Sequence, residues 1–178
     1  MNYIQRSLEE VVKKTEKTYK CILITGARQT GKSTMLTKLF PDKKYVSFDD
    51  PFIEEQAREN PNTFLMLNQP PVIYDEVQRV TDLFRYIKIK CDEENERGLF
   101  CLSGSRPFEL MRNVSESLSG RVGIIELCGL SLREIAGDQY NKPFLPTMDY
   151  INERGRSAKP QKNIWQIIHR GGYPELQN

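Results

Sequence analysis

Paired cysteines are missing from this chain. Cys21, Cys91, Cys101 and Cys128 stand far apart with no C-x-x-C spacing, so neither a zinc nor a thiol-redox signature is present. Three of them lie in the apolar runs CILIT, LFCLS and IIELC, the usual setting of reduced, buried thiols. No stretch approaches the ~18 consecutive apolar residues of a membrane span, and the opening MNYIQRSLEEVVKKTEK has no apolar core of signal-peptide length. A reducing cytoplasm and no membrane partner are therefore expected. An excess of one charge is lacking too: 26 basic and 24 acidic residues leave +2, so no global field selects nucleic acid or an anionic surface. Histidine occurs once, as His169 near a Gly-Gly stop, where it complements a helix dipole better than it serves catalysis.

What is present is an ordinary globular composition, 38% hydrophobic over 178 residues, enough for one substantial core. Ile4, Leu8, Val11 and Val12 recur at helical spacing, with Ser7 as N-cap before Glu9 and Glu10, which predicts a first helix to about Lys17. Lys13, Lys14, Lys17 and Lys20 could meet a phosphate backbone, but so short a run reads first as a solvated face. Five apolar runs follow at intervals: CILIT (21–25), KYVSF (44–48), PVIYD (71–75), LFCLS (99–103) and VGIIEL (122–127). Such runs without polar alternation, separated by helical stretches, predict a parallel five-stranded sheet covered on both faces, an α/β core.

After Glu134 the pattern dissolves into GDQYNKPFLPTMDYINERGRSAKPQKN, rich in Gly, Pro and charge. Ile164, Trp165, Ile167 and Ile168 then start a helix that stops at Gly171 and Gly172. The expected organisation is a core over 1–136, a linker or surface excursion over 137–160, and the start of a further helical or winged segment over 161–178. The chain reads as the front part of a longer protein.

The strongest local signal is Gly26-Ala27-Arg28-Gln29-Thr30-Gly31-Lys32-Ser33, followed by Thr34. It satisfies G-x-x-x-x-G-K-[ST], the P-loop or Walker A pattern, between a predicted strand and a predicted helix. Glycines let successive N–H groups turn toward an anion and the helix aims its positive end at the same point. Lys32 reaches the β- and γ-phosphates, while Ser33 ligates Mg²⁺. Hydrolysis needs a second acidic site, and PVIYDE delivers Asp75 and Glu76 at a strand's C-terminal end, where open α/β sheets bind ligands. Asp75 suits the magnesium shell, the Walker B role, and Glu76 suits polarising the attacking water. As a dipeptide alone, the pair has a lesser reading as a helix cap.

LFCLS ends in Ser103-Gly104-Ser105-Arg106-Pro107, a hydroxyl-bearing turn expected at the same sheet edge as Asp75. A hydroxyl there could sense the γ-phosphate, Ser105 ahead of Ser103; the same spacing also fits an N-cap for a helix beginning at Pro107. Asp49 and Asp50, in SFDDP, end the second strand within reach of a nucleotide or of a water in the metal's outer shell, but Asp50 before Pro51 reads first as a helix cap.

GARQTGKST, PVIYDE, LFCLSGS and SESLSGRVGIIELCGLSLREI together resemble the AAA-type ATPases. The likeness is to the bacterial and archaeal ATP-binding proteins, whose divergent AAA-like core precedes a C-terminal domain of nuclease-like fold. The resemblance runs from about Arg6 to Glu134, and GGYPE (171–175) is similar to the segment leading into that C-terminal domain. It implies a P-loop three-layer sandwich with strand order 5-1-4-3-2, and ATP and Mg²⁺ as ligands. It also implies a homo-oligomer in which Arg121, just before the last strand, completes a neighbour's ATP site. An exposed strand-entry arginine is the competing reading of Arg121. The chain departs from the family in showing no helical lid with a second sensor arginine.

The expected activity is Mg²⁺-dependent ATP binding and hydrolysis coupled to conformational change in an attached domain or partner. A DNA or protein substrate is not specified by any motif. The alternatives are a nucleotide-dependent switch or DNA-associated scaffold with little turnover, and a small-molecule P-loop kinase. The kinase would need an arginine-rich lid. A GTPase would need N-K-x-D, and Asn141-Lys142 continues Pro143-Phe144.

Overall fold

The structure is a computed structural model, described over residues 3–105, 112, 114, 116–138, 140, 142, 144–157 and 163–177. Two compact units divide the chain: Leu8–Cys128, and Met1–Ser7 together with Gly129–Asn178. The division falls between Cys128 and Gly129, earlier than the 136/137 boundary read from the sequence.

In the larger unit, α1 (Glu9–Thr18) leads to β1 (Cys21–Thr25), α2 (Lys32–Leu39), β2 (Lys44–Ser47), α3 (Pro51–Glu59) and α4 (Pro61–Leu67). Then come β3 (Val72–Asp75), a 3₁₀ turn at Val77–Arg79, α5 (Leu83–Glu93), β4 (Phe100–Gly104) and β5 (Val122–Glu126). The five strands form one sheet in the order β2-β3-β4-β1-β5, every pair parallel. This is the expected 5-1-4-3-2 order.

Along β1, β3 and β4, alternate residues feed two separate cores, because successive side chains point to opposite faces of the sheet. Leu23, Val46, Val72, Tyr74, Phe100 and Leu102 pack with Ala57, Phe64, Leu65, Phe84 and Ile87 of α3, α4 and α5. Ile22, Ile24, Ile73, Cys101 and Ile125 pack with Val12 of α1 and Met35 and Leu36 of α2. Both faces are covered, which is why the strands read as unbroken apolar runs. Tyr74 anchors the first core, with ring centroids 5.6 Å from Phe48, 5.8 Å from Phe64 and 6.0 Å from Phe100.

Caps set the helix starts. Asp50 accepts from the Phe52 N–H ahead of Pro51, the predicted cap of α3, and Asn60 does the same for α4 through Thr63 N–H. The start of α1 differs from the reading: Leu8 is its N-cap residue, with no side-chain cap bond. Ser7 Oγ instead accepts from Arg133 Nη2 at 3.1 Å. The helix read as beginning at Pro107 lies outside the described residues.

In the smaller unit, the Ser131 and Glu134 side chains form a capping box for the short helix Leu132–Ile135. Arg6 pairs with Glu134 at 3.2 Å, and both side chains are buried. Burial alone would raise the Glu134 pKa; the Ser131 and Ser7 N–H donors, helped by Arg6, reverse the sign and hold it below its ordinary value. A helix at Met148–Ser157 occupies the stretch read as a linker. It escaped the periodicity reading because its apolar Met148 and Ile151 stay exposed. The contacts around it are polar and aromatic: Arg154 pairs with Asp138 at 2.6 Å, and Tyr150 meets Tyr140 and Phe144 edge-on. Helix Ile164–Arg170 stops at Gly171 as expected, with His169 in its last turn.

Candidate active site

The parallel sheet brings the C-terminal ends of all five strands to one edge, and the loop after β1 opens there. Gly26, at φ 141°, packs so closely under the exit of β5 that a Cβ would sit 2.2 Å from Leu127 O. Gly31, at φ 88°, is the left-handed N-cap of α2, a conformation in which any other residue is strained. Between them Ala27, Arg28 and Gln29 are exposed, and Thr30 is buried with its hydroxyl on Ala27 O at 3.0 Å. Thr34, in the first turn of α2, is exposed.

Lys32 is buried, and its amine donates to Gly26 O at 3.1 Å and Ala27 O at 2.7 Å. Burial lowers its pKa, the Glu76 and Asp75 carboxylates oppose that, and Arg28 adds to the lowering. A cation held out of water by two loop carbonyls is well suited to exchange them for phosphate oxygens.

Asp75, the last residue of β3, is buried and accepts from three hydroxyls on three other elements. Ser33 Oγ of α2 donates to Oδ2 at 2.7 Å, Tyr45 OH of β2 donates to the same oxygen at 2.7 Å, and Ser103 Oγ of β4 donates to Oδ1. The sequence reading anticipated Ser33 beside Asp75 and missed Tyr45. The signal was there in outline: Ser47 pairs with Asp75 in the β2–β3 register, and Tyr45 shares its face two residues earlier. Partial burial, with the bond to Asp75 next, pushes the Tyr45 phenol up to about 12.

Glu76 follows in left-handed backbone, φ 57° and ψ 40°, a conformation that costs a non-glycine residue of order 1 kcal/mol or more and recurs at functional sites. Ser105 Oγ donates to Glu76 Oε2 at 3.3 Å, and Gln78 Nε2 donates to the same oxygen. The two serines weighed for one role thus attend different carboxylates: Ser103, fully buried, on Asp75, and Ser105 on Glu76. Gln78 was not singled out, although it stands two residues beyond Glu76.

Arg121 lies elsewhere. It immediately precedes β5, at the sheet edge opposite the loop, and its guanidinium grips Asp92 at the end of α5, Nε to Oδ1 at 2.5 Å and Nη2 to Oδ2 at 3.0 Å. Hydrogen bonding between the two raises the Arg121 pKa and lowers that of Asp92. Within one chain Arg121 and Lys32 are not brought together. Asp49 is engaged by Arg79 at 3.0 Å rather than by the loop.

The residues from the end of α1 to just past the capping-box helix, 18–136, match the family model described as an AAA domain. This chain belongs to the AAA domain family. The AAA domain is 30% identical over 133 residues to uncharacterized proteins of Mycobacterium bovis and Mycobacterium tuberculosis, an alignment covering 70% of this chain and 28% of each relative. Its fold is shared with the Walker-type ATPase of Pyrococcus abyssi at TM-score 0.58 and 15% identity, over 98% of this chain and 66% of that one. It is shared too with the AMPPCP-bound DnaA of Aquifex aeolicus at TM-score 0.61 and 18% identity, over 99% and 61%. Among the described residues, no helix is long and apolar enough to cross a membrane.

Proposed function

We propose that this AAA domain binds ATP with Mg²⁺ and hydrolyses it, and that the cycle moves an attached domain or a partner. The observation that carries the reading is the 2.7 Å bond from Ser33 Oγ to Asp75 Oδ2. It unites the hydroxyl of the phosphate loop with the carboxylate of β3 although 42 residues separate them in sequence. The DnaA neighbour was solved with AMPPCP, an ATP analogue, in a fold of the same kind.

The donor set suits a small hard cation. It offers one hydroxyl and one carboxylate, and among the described residues no three His, Cys, Asp or Glu side chains converge. Mg²⁺ is bound in this way, through few protein oxygens and the substrate's phosphates. When bound by Ser33 and Asp75, it neutralises charge on the phosphate oxygens. The loop N–H groups from Ala27 to Thr34 and the N-terminus of α2 bind the phosphates, and Lys32 turns from Gly26 and Ala27 toward the β- and γ-oxygens. Glu76 orients a water and takes its proton. The water oxygen bonds to the γ-phosphorus, the bond to the bridging oxygen breaks, and ADP leaves with that electron pair. Ser103 holds Asp75, while Ser105 stands beside Glu76 where a terminal phosphate can be sensed.

Arg121 enters this scheme only as a residue given to a second copy, because its own loop lies at the other sheet edge. Turnover per chain then rises with concentration, and mixing Arg121→Ala with Glu76→Gln restores activity that neither has alone. Activity independent of concentration and a dead mixture would leave Arg121 as the partner of Asp92 and nothing more.

Titration with a fluorescent ATP analogue, with and without Mg²⁺, alongside phosphate release, tests the whole reading. Lys32→Ala weakens binding sharply, Asp75→Asn loses the Mg²⁺-dependent part of it, and Glu76→Gln binds normally without turning over. Unchanged affinity in a folded Lys32→Ala protein would remove the phosphate site. Parallel loss of affinity and turnover in Glu76→Gln would remove the base.

A further inference from the structure

Gln78 sits between the two groups that this reading assigns to water activation and phosphate sensing. Its Nε2 donates to Glu76 Oε2 and approaches Ser105 Oγ at 3.3 Å, while its Oε1 accepts from the Ser105 N–H at 3.3 Å. A backbone N–H can only donate, so the amide oxygen must face Ser105 and the amide nitrogen must face the carboxylate. Ser105 Oγ closes the ring on the same Glu76 oxygen at 3.3 Å.

The turn carrying Gln78 is pinned from outside the ring. Arg79, the next residue, pairs with Asp49 at 3.0 Å and Glu54 at 3.4 Å, and Arg58 donates to the Arg79 carbonyl. Glu76 enters the turn in left-handed backbone. A carboxylate on strained backbone, with two donors on one oxygen, is fixed at that oxygen and presents the other for a further donor such as water.

We infer that Gln78 is a positioning residue that ties the orientation of Glu76 to the position of the Ser105 turn, so that contact between Ser105 and a terminal phosphate aligns the base. This rests on the hydrolysis reading above. The nucleotide's last phosphate is then read through the Gln78 amide: a shift of Ser105 moves the N–H that holds Oε1, and the Nε2 end carries Glu76 with it. ATP and ADP differ to the base through this link.

Steady-state turnover and equilibrium nucleotide binding on the full chain test it. Gln78→Ala is expected to lower kcat about tenfold or more, a part of the hundredfold or larger effect of a general base, with KM and analogue affinity within about twofold. In a Glu76→Gln background the same substitution is expected to do nothing further, and with Ser105→Ala the two losses are expected not to multiply, because both act on one oxygen. Gln78→Glu keeps the size and the acceptor for Ser105 N–H but sets two carboxylates together; adding Glu76→Gln restores an amide–carboxylate pair, hence the melting temperature, without restoring turnover. A kcat unchanged in Gln78→Ala, or reduced equally whether or not Glu76 is present, overturns the assignment. Should wild-type turnover fail to depend on Glu76, the hydrolysis reading falls first, and the role of Gln78 with it.

Discussion

Each of the two units of this chain is held together internally by different means. In Leu8–Cys128 each of the three central strands is fully buried, and two apolar cores sandwich the sheet. In the smaller unit, the helices Leu132–Ile135, Met148–Ser157 and Ile164–Arg170 bury no apolar residue, and Phe144, Met148, Trp165 and Ile168 stand exposed. Caps, ion pairs and aromatic edges stand out among its described contacts, with Leu130 as a buried apolar residue. Packing of the first kind can hold a buried lysine and aspartate in place against their wish for water; bonding of the second kind holds surface segments and yields to pH and salt. Of the buried polar residues, Thr30, Lys32, Asp75 and Ser103 belong to the packed unit, while Arg6, tied to Glu134, belongs to the smaller one.

The largest effect should come from opening a core. Phe100→Ala, at a fully buried position, is expected to cost about 3–5 kcal/mol, whereas Trp165→Ala, 78% exposed, should stay within about 0.5 kcal/mol. Denaturant melts of the two variants compare the units directly, and similar losses would erase the contrast.

Next is the buried cation. Lys32→Ala should weaken nucleotide binding by roughly 10- to 100-fold, the loss of a charged hydrogen bond of about 1.5–3 kcal/mol. The melting temperature of the free protein should hold or rise, since a desolvated ammonium is removed. A fall in both would mean that the amine is needed for the fold rather than kept for a ligand.

The smaller unit should respond to acid instead. The folded-state pKa of Glu134 is depressed, so its stabilisation is present above the ordinary carboxylate value of about 4.3 and is lost as pH falls through the lower folded value. Hydrogen exchange at the Ser7 and Ser131 amides, both bonded to Glu134 at 2.6 and 2.8 Å, should quicken in that window, and Glu134→Ala should quicken it at neutral pH. Protection that is indifferent to both would assign these amides to packing.

The smallest effects should come from the surface of the packed unit. Asp50→Ala removes the cap of α3 and should cost about 1 kcal/mol. Asp92→Ala frees the partly exposed Arg121 and should leave stability nearly unchanged, since an exposed ion pair contributes little. If Arg121 serves a neighbouring copy, the second change should leave turnover intact or raise it; a loss of turnover would show that Asp92 holds the arginine where it is needed.

Much of the packed unit could be read from residue order, because its signals are local. The glycine spacing of the loop, the apolar strands and the Asp50-Pro51 cap each depend on neighbours a few positions apart, and each appears where expected. The helix Met148–Ser157 was not readable, since its apolar residues form no buried face to leave a period. Ser7 was mistaken for a cap because its actual partners, Arg133 and Glu134, lie more than a hundred residues away.

The sequence alone placed Gly26 to Ser33 in one contiguous loop between a strand and a helix, because the backbone needs of that segment are written into it. It also placed Asp75 and Glu76 at a strand end. Which hydroxyl serves which carboxylate was decided by the tertiary structure, through strand register and order: β4 carries Ser103 to Asp75 and sets Ser105 against Glu76, and β2 adds Tyr45. Gln78 stood near Glu76 in the sequence, but its amide gains its second partner only when the end of β4 brings in Ser105, and no local pattern records a partner that arrives from a different strand.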